Sequence, residues 1–250
     1  MKKYDLVIFG STFYAAGICS AYKGSTLVVE PKTKPGYEFI DAYHPGSILE
    51  YTSISKEAKE FSDFLHLKKL THDAYILRWT PYLSEMMLHT SADYLFLTDI
   101  LNVRKSDEGY VVTIFNTMGK SEICAQRIID TRATDLGSKT INFLTKGDAP
   151  LSENEDLKLI MEYEDYSIYE RKINIDDDYP SARKKVVESF TYLKSLCDNI
   201  SLVSIADEFY KRAAKAQTEI SVGYLKCASS YYDNPIEAYD MGARKGEEIQ

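Results

Sequence analysis

From Tyr4 to Phe9 the chain is almost continuously apolar, and Gly10 ends the run. A strand solvated on one face alternates, so an unbroken run predicts a central parallel strand buried on both faces. Residues 14–23 are rich in Ala and Gly, which predicts a helix packed closely on that sheet, and residues 26–30, TLVVE, predict the next strand. A right-handed crossover connects two such strands. Residues 31–54 hold Pro31, Pro35, Gly36, Pro45 and Gly46 and read as an extended loop. Helical spacing returns over residues 55–67, where Ala58, Phe61, Phe64 and Leu65 share a face, and a further helix is predicted over residues 81–90.

From Ala92 the period becomes that of strands: ADYLFLTDI, ILNVRK, YVVTIFN and SEICAQRIID, with the turns SDEG and TMGK each supplying a hairpin glycine. This predicts a three-stranded meander entered from one buried strand and left through another. Residues 136–156 are polar and turn-rich and read as a hinge or surface connection. LKLIMEYED and SIYERKINI alternate apolar with charged residues, as a half-exposed antiparallel ribbon does. Pro180 opens a helix reaching Cys197. Residues 200–205 read as a strand, 207–217 as a helix, and 235–248 as a terminal helix with Pro235 in its first turn.

Composition narrows the function classes. A chain of 250 residues that is 44% hydrophobic can bury a sizeable core. No run of about 18 apolar residues suggests a membrane span, so neither a membrane partner nor a membrane location is expected. Asp5 interrupts the apolar start before it reads as a signal segment, and the expected location is cytoplasmic. The net charge of −8, with no dense Lys/Arg tract, argues against nucleic acid as a partner. Cys19, Cys124, Cys197 and Cys227 never form C-x-x-C, which disfavours a redox dithiol or a local zinc site. The four histidines show no ligand spacing, and no metal is expected.

The chemistry concentrates in the first unit. In G-x-G-x-x-G the first glycine makes the tight turn, the second lets backbone reach a pyrophosphate, and the third lets helix and strand pack. Gly10, Thr12 and Ala15 hold those places, with Ser11 between the first two. Alanine is an accepted variant at the third. Thr12 is the departure, because a β-branched side chain stands where phosphates approach. Three outcomes follow: the loop shifts outward, the threonine hydroxyl binds a phosphate oxygen, or nothing binds there. Glu30 lies about 20 residues after Gly10 at the end of a strand, where a carboxylate accepts hydrogen bonds from an adenosine ribose. A carboxylate there disfavours a 2′-phosphate.

A second anchor is the segment DYLFLTDILNVRKSDEGYVVTIFNTMGKSEICAQRIIDTRATD. Together with the first unit, it resembles the FAD-dependent oxidoreductases of glutathione-reductase type over about residues 1–135, with IIDTRATD in the place of their I-D-A-T-G-type motif. The resemblance implies an α/β fold: a Rossmann-like FAD/NAD(P)-binding domain with a β-meander and a small additional α+β region. It divides the chain into residues 1–135 with 234–250 as the dinucleotide domain, and 136–233 as a small substrate-like or cap region. It implies adenine near residues 101–103, with Val103 as the contact, and pyrophosphate along Gly10, Ser11, Thr12 and Ala15. Aligning Asp130 with the family aspartate puts Thr131 and Arg132 in place of A-T and Ala133 in place of a glycine. Arg132 suits a bidentate phosphate contact, or is a loop-end arginine facing solvent. Asn234 caps a terminal helix whose free amides would meet a phosphate or flavin oxygen, or is an ordinary cap.

The function the resemblance implies is FAD-dependent oxidation or reduction of a small molecule; NAD is less favoured because no second nucleotide-type βαβ half is evident. A flavin brings its own redox chemistry, so no catalytic side chain is required. His44, in DAYHPGS, is the candidate for proton transfer, against the plainer reading of a turn histidine before Pro45. The alternative, raised by Thr12 and Ala133, is a degenerate scaffold that has lost FAD and binds another nucleotide or serves as a partner subunit. A homo-oligomer is a further expectation.

Overall fold

The structure is a computed structural model that describes residues 2–46, 51–69, 73–152 and 154–250. Strand β1 (Lys2–Phe9) pairs in parallel with β2 (Thr26–Val29) on one side and with β6 (Gly119–Asp130) on the other, and β3 (Asp93–Leu95) extends the sheet beyond β2. The unbroken apolar run has its cause in the two faces. Leu6 and Ile8 pack with Ala15 and Ile18 of helix α1 (Phe13–Ala21), while Val7 and Phe9 pack with Val112 and Ile114 of the meander. That meander is β4 (Asp99–Ser106), β5 (Gly109–Asn116) and the first half of β6, antiparallel throughout, as its sequence predicts.

Helices α2 (Lys56–Leu67) and α3 (Thr80–Leu88) pack beside α1 and bury Phe61, Leu65 and Leu83 against Phe13, Phe39 and Trp79. A second sheet has the order β10 (Ile200–Ile205), β7 (Leu136–Gly147), β9 (Tyr166–Ile173), β8 (Leu157–Tyr163), with β11 (Tyr210–Ala213) also on β7. Helix α4 (Tyr179–Leu196) covers it through Ala182, Val186 and Leu193. Asp178 caps α4 by accepting the Ser181 amide at 2.9 Å. Asp178→Ala is expected to cost about 1 kcal/mol, lowering the thermal midpoint by roughly 2–4 °C in a calorimetric scan.

The structure departs from the sequence reading in three places. Residues 136–147, read as part of a hinge, form the long strand β7, in which Asn142 is fully buried and donates to the carbonyls of Ala42 and Tyr43 at 2.9 and 3.2 Å. Asn142 is satisfied by a distant loop and Thr145 by the Ser167 carbonyl of the neighbouring strand, so polarity there did not mean solvent. Residues 207–217, read as a helix, contain β11, where cross-strand pairing with β7 overrides the helix propensity of its Ala and Lys. Finally, β12 (Gln217–Ser221) and β13 (Tyr224–Cys227) form a hairpin at Gly223 (φ +82°), and β13 joins the first sheet beside β6. The first sheet therefore takes in residues 217–227, which the sequence division at 136–233 assigned to the cap region.

Helix α5 (Pro235–Glu248) returns to lie along α1. The approach is close enough that a Cβ on Gly17 would stand 2.0 Å from the Tyr239 carbonyl oxygen, and one on Gly242 would stand 2.0 Å from that of Tyr14.

Candidate functional site

The turn after β1 is left-handed at Gly10 (φ +93°), and a Cβ there would meet Arg132 Cγ at 2.8 Å and Thr131 Oγ1 at 3.0 Å. Gly10 is thus required for the close approach of the loop after β6. Thr12, fully buried, is the N-cap of α1: its Oγ1 accepts the Ala15 amide at 3.1 Å and donates to Thr131 Oγ1 at 2.8 Å. Thr131 in turn donates toward the carbonyls of Phe9 and Gly10. The two threonines that replace small residues of the motifs therefore tie the two nucleotide-facing loops to each other.

Amides at a helix N-terminus are the groups a phosphate takes. Here four of the amides around the turn are held by side chains of the same chain. Ser11 N donates to Glu30 Oε2 at 2.7 Å, Phe13 N to Glu38 Oε1 at 2.8 Å, Tyr14 N to Ser229 Oγ at 3.3 Å, and Ala15 N to Thr12. Glu38 is 8% exposed; its Oε1 also accepts from Ser229 Oγ at 2.8 Å, while its buried Oε2 has no hydrogen-bond partner. Burial pushes the Glu38 carboxyl up to about 7, against the pull of the Phe13 amide and the Ser229 hydroxyl. Glu30, 1% exposed, holds the Ser11 amide on one oxygen and the Lys32 amide on the other, at 2.7 Å each. Burial raises its pKa too, and those two amides oppose the rise.

A cavity of about 340 Å³ opens beside these groups, walled by Thr12, Glu30, Tyr37, Glu38, Arg132 and Lys211 among others. Ligand pockets run from about 300 to 1,000 Å³, so this one is of a size to take a small ligand. Glu38 presents its carboxylate to the Phe13 amide, the kind of donor a pyrophosphate would take.

Of the residues singled out from sequence, Thr12, Glu30, Arg132 and Ala133 meet on the cavity wall. Gly10, Ser11 and Ala15 stand behind it in the turn and first helical turn. The Arg132 fork is engaged: Nε and Nη2 donate to the two oxygens of Asp130 at 2.8 Å each, with the side chain 31% exposed. Val103 lies on β4 opposite Val112, half-buried in the meander and off the cavity wall. Asn234, 3% exposed, caps α5 by accepting the Glu237 amide at 2.8 Å, also off the wall.

His44 lies elsewhere, its ring stacked on Tyr210 at 3.6 Å between centroids. Both ring nitrogens are buried without a hydrogen-bond partner, Nδ1 being 3.8 Å from Glu170 Oε2. Burial drives the imidazole down to about 4, so it is neutral near pH 7. Sequence reading missed Glu38, Tyr37, Lys211 and Ser229. The available signal was Glu38 itself, an acid inside the otherwise apolar YEFI. A larger groove of about 960 Å³ lies at the rim of β1 and the meander, lined by charges such as Lys3 and Glu108 that pair with each other; none of the candidate residues reaches it. Among the described residues no group of three or more His, Cys, Asp or Glu could hold a metal ion, and no helix is long and apolar enough to cross a membrane.

No protein-family profile matches this chain, and no curated protein sequence matches it. Solved structures do. Glycine oxidase from Geobacillus kaustophilus superposes with a TM-score of 0.61 at 10% identity, covering 98% of this chain and 93% of its own. A geranylgeranyl bacteriochlorophyll reductase-like protein from Thermoplasma acidophilum gives 0.65 at 12% identity, covering 100% and 78%. The flavin-dependent brominase Bmp2 gives 0.61 at 14% identity, covering 99% and 79%. With its parallel sheet, α1 crossover, meander and second sheet, this chain has the fold of the FAD-dependent oxidoreductases.

Proposed function

We propose that this chain uses the flavoprotein fold as a scaffold and binds a small polar molecule, not FAD, in the cavity beside Glu38. One observation carries the reading: the Phe13 amide at the start of α1 is capped by the Glu38 carboxylate at 2.8 Å. An ionised carboxylate in that seat repels a pyrophosphate, and its burial leaves no water to screen the repulsion. The Thr12–Thr131 bond supports the same reading, since a dinucleotide would have to part the two loops it joins. In this role the protein acts as a binding protein or as a partner subunit.

The second reading is an FAD-dependent oxidoreductase, favoured by the fold and by the retention of Gly10 and Glu30 at the turn and strand end. Calorimetric titration of the purified protein with FAD separates the two. No binding by the parent is expected, and Thr12→Gly combined with Glu38→Ser is expected to gain at least about tenfold in FAD or ADP affinity, about 1.4 kcal/mol. Stoichiometric FAD binding by the parent, with flavin absorbance on the purified chain, overturns the scaffold reading.

A further inference from the structure

We infer that this chain pairs edge to edge with a second copy of itself, β4 lying antiparallel to its counterpart about a two-fold axis at Asn102, with Lys105 of each copy on Asp99 of the other. This pairing is independent of what the cavity takes. A strand with an open edge offers a row of amides and carbonyls that another strand can take up. Among the described residues β4 pairs with β5 alone. It runs for eight residues without a proline, and Leu101 on it is exposed. A bulge at Leu101 and the cations Arg104 and Lys105 discourage indiscriminate pairing along this edge. Arg104 is already engaged, 3.6 Å from Glu122 of its own chain. Asp99 and Lys105 have no ion pair among the described residues.

Charge chooses the register. Asp99 and Lys105 stand equidistant from Asn102, as do Leu101 and Val103, so an axis there makes each of these pairs twice. Residues directly opposite in an antiparallel pair share a face, with Cβ atoms about 4.5–5.5 Å apart, within reach of an ion pair. An axis at Val103 would instead oppose Asp99 to Asp107, and one at Arg104 or Lys105 would oppose like cations. The seat for the lysine is also formed. Asp99 is the one charged residue lining a groove of about 450 Å³ whose apolar walls are Pro31, Leu97 and Phe115. Leu97 and Phe115 are exposed, and Leu97 is held at φ +52°, a left-handed conformation that a leucine adopts at a cost. A lysine lays its carbon stem on such a surface and keeps its ammonium at the carboxylate. Covering Leu97, Leu101 and Phe115 adds the apolar gain.

Sedimentation velocity of the full chain over the micromolar range tests this. Pairing along one edge buries less than a standard interface, so a reversible dimer that weakens as salt rises is expected. Lys105→Glu and Asp99→Lys are each expected to weaken it at least about tenfold, since each turns two attractions into two repulsions. Combined in one chain they are expected to restore it, a recovery that damaged folding does not give. Asn102→Cys is expected to form a disulfide-linked dimer on mild oxidation that the parent does not form, because the two thiols meet at the axis. A chain that stays monomeric throughout overturns the inference. So does a dimer that the charge reversals leave unchanged, or one that Asn102→Cys does not cross-link.

Discussion

Replacing Glu38 by Gln is expected to raise the thermal midpoint above pH 7 by roughly 4–12 °C and to leave it nearly unchanged below pH 4.5. Burial lifts the Glu38 carboxyl from its ordinary 4.5 to about 7 in the folded chain. Below 4.5 the group is protonated whether the chain is folded or not, and its titration contributes nothing. Between 4.5 and 7 the unfolded chain has released a proton that the folded chain retains, so stability falls as pH rises. Above 7 the buried ionised carboxylate makes folding less favourable by about 3 kcal/mol. Gln keeps an oxygen for the Phe13 amide and the Ser229 hydroxyl while removing the charge. Calorimetric scans across this range check it; equal midpoints for parent and variant above pH 7 would show that Glu38 is not buried as an acid.

His44 imposes the opposite slope. Its folded value of about 4 lies below the ordinary 6.5, so stability is fully present above 6.5 and is lost as pH falls toward 4. In the parent the two slopes oppose each other where their windows overlap. Glu38→Gln should therefore expose a loss of stability in mild acid that His44→Phe, which can keep the stack on Tyr210, abolishes.

Gly242→Ala is expected to destabilise the protein by about 2–4 kcal/mol, read as a shift of the denaturant midpoint without a change of slope. The new Cβ would stand 2.0 Å from the Tyr14 carbonyl oxygen, 2.8 Å from its carbon and 3.0 Å from its Cα. Backbone cannot rotate away as a side chain can, so α1 and α5 must separate. Gly17 receives α5 in the same way, and its nearest obstacle is the Tyr239 carbonyl oxygen. The strain reaches the site directly, because Tyr14 sits in the first turn of α1, whose amides hold Glu38 and Ser229. Alanine's better helix propensity recovers at most about 1 kcal/mol. Gly17→Ala combined with Gly242→Ala should cost less than the sum, since one separation relieves both clashes.

Much of the fold was legible because the signals were local. The unbroken run at β1, the small-residue helix, the hairpin glycines at 109 and 119 and the Pro-led terminal helix each follow from the neighbouring sequence alone. Strand β7 was not legible, since its buried polar residues are satisfied by groups distant in sequence, Asn142 by carbonyls about a hundred positions away and Thr145 by the Ser167 carbonyl. The β12–β13 hairpin was hidden for a related reason: its place beside β6 is fixed by pairing across the chain.

The sequence by itself determined the scaffold, through apolar periodicity and the turn at Gly10, and it marked Thr12 as the departure from a nucleotide fingerprint. Only the tertiary structure decided which groups meet the first amides of α1. Glu38 reaches Phe13 from a loop, Ser229 reaches Tyr14 from more than two hundred residues downstream, and Thr131 closes on Thr12 from the end of β6. The physical reason is that a helix N-terminus offers the same amides to any acceptor, and which acceptor arrives is set by the packing of distant segments.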